Sequence, residues 1–357
     1  MFTVLHYTGY RAERGGVVAV LRALRASGRG RMLHGVAPDF AAADSAALEI
    51  WRGPAIEGER IGWREVWRAR AVARAAQSWL RESTDRVFHG HSRAGLLVAL
   101  WLRRWGESRV VASVHCYGRQ RWFYRWAARQ LGPRLHWLTP AMRAYYGVTG
   151  SGWDQCLPGG VTEDDFLVTP PAPASNRLRL GGAGMLVRWK RWDLVLAALA
   201  ALPPEVRAQV SFEHIGAAND DADSIRCAAE LRAQTERLGL TGQVTWRGQE
   251  PSSRRLLGAV DLVVVSSDQE PYSMILQEAW AAGVPALAAD SGGPTDLVRP
   301  GHNGWLFRSG DAASLAAAIT ERVRTRDWAG LDRAAVRRTA RRAAEVALRW
   351  EEIYRRL

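Results

Sequence analysis

Residues 262–307 read LVVVSSDQEPYSMILQEAWAAGVPALAADSGGPTDLVRPGHNGWLF. The run Leu262–Ser266 is aliphatic and β-branched, which suits a buried strand. A polar loop with Glu270 and Pro271 follows. The apolar spacing then predicts a helix over Tyr272–Ala282, with Pro271 close to its first turn. Gly283 stops that helix, and Ala286–Ala289 reads as a second strand. The Gly292–Gly293 pair turns into another helix, and His302-Asn303-Gly304 turns into a strand over Trp305–Phe307. Strands separated by helices in this order predict βαβ units around a parallel sheet.

The same alternation extends upstream. Gly184–Val187, Val210–Ile215 and Val244–Trp246 are strand candidates, with helices expected over Asp193–Ala201 and Asp223–Leu238. A helix is expected over Ala312–Val323, and one long basic helix over Arg333–Leu357. Before Gly184 stands a Pro-rich break, Thr169-Pro170-Pro171-Ala172-Pro173, where fixed φ angles and missing donors suit a linker. Residues 1–165 alternate in the same way. Phe2–His6, Met32–Val36, Val87–His89, Val110–Val114 and Leu135–Leu138 are the strand candidates, with helices over Val17–Ala26, Trp63–Leu80 and Gly95–Trp105. The chain of 357 residues therefore divides into two α/β halves. The expected boundaries are a first domain over 1–168, a linker over 169–176, a second domain over 177–335 and a terminal helix over 336–357 that crosses back to the first.

Composition excludes several classes. A 47% hydrophobic, 24% charged chain is neither disordered nor low in complexity. No apolar run is long enough to span a bilayer, and no basic region precedes the first apolar run, so a leader peptide is not expected. Cys116, Cys156 and Cys227 lie far apart and form no CxxC pair, which argues against a zinc ribbon and fits a reducing cytoplasm. The net charge is +13, and it is uneven. Residues 1–165 hold 24 arginines against 14 acids, whereas 166–357 hold 25 basic residues against 22 acidic. Such a field concentrates anionic partners around the first half. No nucleic-acid-reading motif accompanies it, so nucleic acid is not an expected partner.

Chemistry is expected after the Leu262–Ser266 strand. The amides of Tyr272, Ser273 and Met274, if they open a helix, form an anion site suited to a diphosphate. Glu278 stands eight residues beyond Glu270, within that helix. A carboxylate there can accept two hydroxyl hydrogen bonds, as from a ribose.

Taken together, the Glu-x7-Glu helix, the Gly-Val-Pro strand and the Gly-Gly turn resemble the C-terminal half of glycosyltransferase family 4. These are retaining nucleotide-sugar glycosyltransferases of GT-B fold. The acid three residues after the glycine pair is Asp296, where the family usually has Glu. GMLVRWKRWDLVLAAL (Gly184–Leu199) resembles the family segment that clamps the donor diphosphate, with Lys190 on the family lysine. Met185 stands where the family usually has arginine, so either Arg188 reaches in from nearby or the site has lost one charge. Val244–Ser267 resembles the segment whose loop, at Arg247–Gly248, holds the nucleotide base. In the amino half, Gly15-Gly16 resembles the family's phosphate-approaching glycine pair. His115 aligns with the histidine that contacts the transferred sugar, and His91 is read as structural. Cys156–Phe166 is a degenerate form of another family element.

The resemblance implies an α/β, GT-B fold of two Rossmann-like domains facing across a cleft. It implies a retaining hexosyltransferase that moves a sugar from a UDP- or GDP-linked donor, as co-substrate, to a glycan or lipid-linked acceptor. The setting would be bacterial cell-surface polysaccharide or glycolipid synthesis. Lys190, the Tyr272–Met274 amides and Arg188 would hold the leaving diphosphate, Glu270 the sugar hydroxyls and Glu278 the ribose. No Asp-x-Asp stands at a strand end, so neither metal nor further cofactor is expected. Gly118–Arg134 and Trp63–Arg74 interleave arginine with tryptophan and suit an anionic membrane surface, hence a cytoplasmic protein with peripheral contact at the inner face of the plasma membrane. The competing readings are a nucleotide-sugar epimerase or hydrolase of the same fold, an inactive scaffold homologue and, from another class, a nucleic-acid binder.

Overall fold

A computed structural model of the chain describes residues 2–10, 16–27, 30–38, 49–53, 56, 61–170, 172 and 177–357. The chain forms two compact units, Met1–Thr162 with Arg342–Leu357, and Glu163–Arg341. The first contains strands β1 (Thr3–Tyr7), β2 (Arg31–Val36), β3 (Glu49–Arg52), β4 (Arg86–His91), β5 (Val110–Ser113) and β6 (Leu135–His136). Its helices are α1 (Gly16–Ala26), α2 (Trp63–Arg81), α3 (Ser92–Arg104), α4 (Arg121–Leu131) and α5 (Pro140–Tyr145). The second contains β7 (Leu178–Ala183), β8 (Val210–Ile215), β9 (Val244–Trp246), β10 (Leu262–Val265), β11 (Ala286–Ala289) and β12 (Gly304–Phe307). Its helices are α6 (Trp192–Ala200), α7 (Pro204–Arg207), α8 (Ala222–Arg237), α9 (Arg254–Leu257), α10 (Met274–Ala282), α11 (Gly293–Leu297), α12 (Ala312–Thr325) and α13 (Arg333–Arg337). Helix α14 (Ala343–Arg355) belongs to the first unit.

Among the described residues, each unit has one six-stranded, wholly parallel sheet, in the orders β3-β2-β1-β4-β5-β6 and β12-β11-β10-β7-β8-β9. Both are doubly wound, with strand order reversing between β1 and β4 and between β7 and β10. Ligands of such sheets bind beyond the carboxyl ends of the strands at that reversal.

In the first unit the register sets His6 beside His34 on β2 and His89 on β4, so the three imidazoles share one face. Trp350 and Tyr354 of α14 pack on that face against His89. The turn from β4 into α3 is tight. Ser92 takes φ +57°, and a Cβ on either Gly90 or Gly95 would overlap the other's backbone.

The second sheet is covered on both faces. One face packs on Trp192, Val195, Leu199, Leu231, Leu315 and Ile319, the other on Leu256, Ile275, Leu276, Ala279, Trp280 and Val336. The fully buried carboxylate of Asp261 accepts from the backbone amide, Nε and one Nη of Arg179, at 2.8–2.9 Å, fastening β10 to β7 at the amino ends of the strands.

Three expectations need correction. The first strand of the second unit is Leu178–Ala183 rather than Gly184–Val187. Its glycines masked the strand pattern. Gly182 is small because Phe212 and Trp192 lie 2.8 Å from where its Cβ would be. The helix expected over Arg333–Leu357 is broken between Arg337 and Ala343. There the Arg341 amide donates to Gln277 Oε1 and the Ala343 amide to Val161 O, each an alternative to the helical ladder. The units divide at 162/163 and 341/342, not at 168/169 and 335/336. Of the proposed linker 169–176, residues 171 and 173–176 lie outside the described residues.

The β4–α3 crossing yields a prediction. Gly90→Ala is expected to cost about 2–3 kcal/mol in chemical denaturation, because backbone rather than a movable side chain blocks the added methyl. A loss below about 0.5 kcal/mol would contradict the close approach.

Candidate functional site

At the β7–β10 reversal, the loop after β7 begins with Gly184 (φ +145°), which admits no Cβ on Gly216 beside its carbonyl. The Gly216 amide donates to Gly248 O at 2.7 Å, tying the loops after β8 and β9 together. A short 3₁₀ turn, Arg188–Lys190, ends at Arg191 in the left-handed region (φ +54°). Arg191 is held there by Asp193 and Asp268. This exit carries Lys190, the chain's sole lysine, inward. Its ammonium donates to Glu270 Oε2 at 2.6 Å, and Ser267 Oγ donates to the same oxygen at 2.9 Å. Ser266 Oγ donates to the Lys190 carbonyl at 2.7 Å. The pair is largely out of water, with side-chain exposures of 14% and 8%. A buried ion pair is retained only where its partners are well placed.

Helix α10 starts at Met274, two residues later than expected. Glu270 pairs with Gly292 in an isolated bridge, and the Gly293 amide donates to Glu270 O at 2.7 Å. A Cβ on Gly293 would lie 2.7 Å from Pro271 O. Residues 270–272 are therefore held against the Gly292–Gly293 turn and cannot wind into the helix. The first-turn amides are those of Met274, Ile275 and Leu276, so of the expected trio only Met274 belongs to them. Ser273 precedes them in a strained conformation (φ +74°), and its buried Oγ has no hydrogen-bond partner among the described residues. An unpaired buried hydroxyl at a helix start is a donor and acceptor ready for an anionic group.

Glu278 sits further along α10, half-buried, and accepts from Ser253 Oγ at 2.6 Å. Burial raises its pKa, and nearby Asp165 adds to the rise, while the Ser253 hydroxyl and Arg254 oppose it. Arg188 does not join Lys190. Its exposed guanidinium is paired with Glu230 of α8 at 3.0 Å, on the rim of a 470 Å³ pocket lined by Trp189, Cys227 and Gln234. Arg247 is likewise turned to Glu213, at 2.9 Å, and Gly248 (φ +81°) supplies the carbonyl bonded to Gly216. Sequence reasoning missed Ser267 as a Glu270 partner. Its signal was a small polar pair directly after an apolar strand.

In the first unit, Gly15 lies outside the described residues. Gly16 opens α1, exposed, with open space where a Cβ would stand. His115 follows β5, and its Nε2 lies 2.9 Å from His91 Nδ1. His91 Nε2 lies 2.9 Å from His6 Nδ1. His89 bonds Tyr354 Oη through Nδ1 and Ser113 Oγ through Nε2, both at 2.8 Å. Thr8 Oγ1 meets His34 Nε2 at 2.9 Å.

Among the described residues, His6, His89 and His91 bring one nitrogen each within 4.8 Å of one another, close enough to ask whether they hold a metal. Their arrangement does not fit one. His89 and His91 stack at 4.1 Å with planes 27° apart, so their in-plane lone pairs run side by side instead of converging. Both His89 nitrogens are also already bonded.

Burial holds these imidazoles neutral. The pKa falls to about 3 at His6 and about 4 at His115 and His136, and well below the ordinary value at His89 and His91, where neighbouring imidazoles add to the burial effect. The unfolded chain binds these protons at about pH 6.5 and the folded chain does not. Stability is then full above about pH 6.5 and is lost as pH falls below it, on the order of 2 kcal/mol at pH 5 for each fully buried imidazole. Calorimetry should show the thermal midpoint dropping by more than about ten degrees between pH 7.5 and 5; a flat midpoint would contradict the neutral cluster.

Comparison with known proteins agrees with this architecture. The described fold matches HepE of Anabaena, solved with UDP-glucose, at a TM-score of 0.79 and 19% identity over the whole of both chains. A lipopolysaccharide core biosynthesis glycosyltransferase, LpsE of Rhizobium meliloti (strain 1021), is 40% identical over 86 residues, which are 24% of this chain and 25% of that protein. A D-inositol 3-phosphate glycosyltransferase of Stackebrandtia nassauensis is 33% identical over 181 residues, which are 46% of this chain and 40% of that protein. The matches thus span between a quarter and two fifths of these relatives' lengths. Residues 172–342 match the family described as Glycosyl transferases group 1. The two Rossmann-like units thus share the GT-B fold, and the second unit is similar to the group 1 glycosyl transferases.

Proposed function

We propose that the chain is a retaining glycosyltransferase. Its second unit binds a UDP- or GDP-linked sugar, and its first unit holds a glycan or lipid-linked acceptor for cell-surface polysaccharide or glycolipid synthesis. The observation that carries this reading is the Lys190–Glu270 pair beside the start of α10, where the Ser273 hydroxyl is buried without a partner. The donor class is supported by HepE, which was solved with UDP and with UDP-glucose. The acceptor class is supported by the lipopolysaccharide relative.

In the reaction, the bond from the anomeric carbon to the diphosphate oxygen breaks, and the acceptor oxygen bonds to the same face of the sugar. The acceptor's proton passes to the departing phosphate oxygen. Lys190 Nζ, the first-turn amides of α10 and Ser273 Oγ neutralise charge as it builds on the diphosphate, which is where fixed dipoles accelerate most. Glu270 takes sugar hydroxyls and Glu278 the ribose diol. This chain's own cations and dipoles meet the leaving charge, so the step is proposed to be metal-independent. His115 is assigned to the acceptor hydroxyl.

The first unit also carries a surface for an anionic membrane. Trp63 and Trp67 of α2 are 71% and 57% exposed, and Trp122 and Trp126 of α4 are 61% and 45% exposed. The starts of the two helices are tied together, because Gln120 bonds both the amide and the carbonyl of Ile61, at 2.7 and 3.2 Å. Arg64, Arg68, Arg125 and Arg129 lie exposed among them. Indole rings with interspersed guanidinium groups suit a headgroup layer of negative charge. Among the described residues, no helix is long and apolar enough to cross a membrane.

Isothermal titration against UDP, GDP and their sugars should find one base bound at micromolar strength. Lys190→Ala should weaken that binding at least about tenfold, and Arg188→Ala less than about threefold. Absence of any nucleotide binding would remove the reading. Vesicles containing phosphatidylglycerol should co-sediment the protein, and Trp122→Ala with Trp126→Ala should release it; equal binding to neutral vesicles would contradict the electrostatic part.

A further inference from the structure

We propose that His91 is a positioning residue that decides which nitrogen of His115 carries its proton. The inference rests on the reading that His115 acts on the acceptor. Three imidazoles stand in line, His115 Nε2 to His91 Nδ1 and His91 Nε2 to His6 Nδ1, each contact 2.9 Å. Every contact needs one donor and one acceptor, and a neutral imidazole offers one of each. Only two arrangements satisfy both contacts. In one, all three rings are protonated on Nδ1, and His115 presents Nδ1–H outward as a donor. In the other, all three are protonated on Nε2, and His115 presents a bare Nδ1 as an acceptor. No ring can change alone without setting two donors or two lone pairs face to face.

The surroundings keep the line neutral. The groups packed on it are His34 from β2, His89 from β4 and, beyond His89, Tyr354 from α14 and Ser113 from β5. No carboxylate bonds any of the three in-line rings among the described residues, so none is stabilised as a cation. His91 is buried, whereas His115 is half-buried at the strand end. The inner rings therefore serve as a fixed reference, and His115 is the member placed to meet a ligand. A histidine's reactive nitrogen is set by the bond its other nitrogen makes. Here that bond leads to a second and then a third imidazole.

Long-range proton–nitrogen spectra of the full chain, labelled at histidine nitrogens, test this at neutral pH. His6, His91 and His115 should each show one fully protonated and one bare nitrogen, on the same ring position in all three. In His91→Phe, whose ring keeps the stack on His89, the two His115 nitrogens should move toward averaged shifts. Unlike tautomers on His6 and His115, or His115 shifts unchanged by His91→Phe, would overturn the proposal. Should His91→Phe not fold, His6→Phe breaks the line one ring further in and carries the same expectation.

Turnover supplies a second readout. His91→Phe should lower kcat about tenfold while the donor KM stays within about twofold, and adding it to His115→Ala should cost nothing more. Additive losses would place His91 outside the His115 path and overturn the proposal. Parental turnover in His115→Ala would instead refute the acceptor role of His115, and the spectra would still decide the tautomer line.

Discussion

A parallel strand can pair with its neighbour only if the chain returns to the same end of the sheet before each new strand begins. Everything chemical in this protein follows from that constraint. All carboxyl ends in a unit lie together, and the loops that leave them are neighbours whatever their separation in sequence. Lys190 leaves the end of β7 and Glu270 follows β10, eighty residues apart in the chain, yet the two side chains meet at 2.6 Å. His6, His91 and His115 lie at or just beyond the ends of β1, β4 and β5 and form a line for the same reason.

The two units solve the electrostatics of such an end differently. The second keeps full charges there. Its ammonium and carboxylate satisfy each other, Ser267 supports the carboxylate, and Ser266 fixes the lysine backbone. The first keeps no formal charge on its histidines. Burial and mutual repulsion hold the imidazoles neutral, and hydrogen bonds between rings replace ion pairs. The charged arrangement of the second unit suits an anion, and the neutral imidazoles of the first suit hydroxyl groups, which must both donate and accept. The units share strand order and differ in which polar residues occupy the strand ends.

Most of the fold was legible in the chain. The β-branched runs, the glycine after α10 and the Pro-rich break mark two α/β halves, since short-range sterics and periodic burial act within a few residues. Errors came where a long-range contact overrode local preference. Gly181 and Gly182 hid a strand because aromatic and aliphatic neighbours from elsewhere fill the space their side chains would need. Arg333–Leu357 looked like one helix because nothing local reveals that Gln277 and Val161 take the amides at its break. Strand β3 went unread because Glu49–Arg52 has two charged ends around two apolar residues.

The candidate site divides along the same line. From the chain alone came the residue types and their order: the Glu270–Glu278 spacing, the single lysine, and a proline before a helix. Spacing of this kind is a local property of a helix and its cap. Which groups meet was decided by tertiary structure. Only the fold shows that Arg188 and Arg247 are engaged by Glu230 and Glu213, that Ser273 has a buried hydroxyl without a partner, and that His91 bridges two other imidazoles. A side chain's partners depend on strand order and register, and these are set by the packing of whole layers rather than by residues adjacent in the chain.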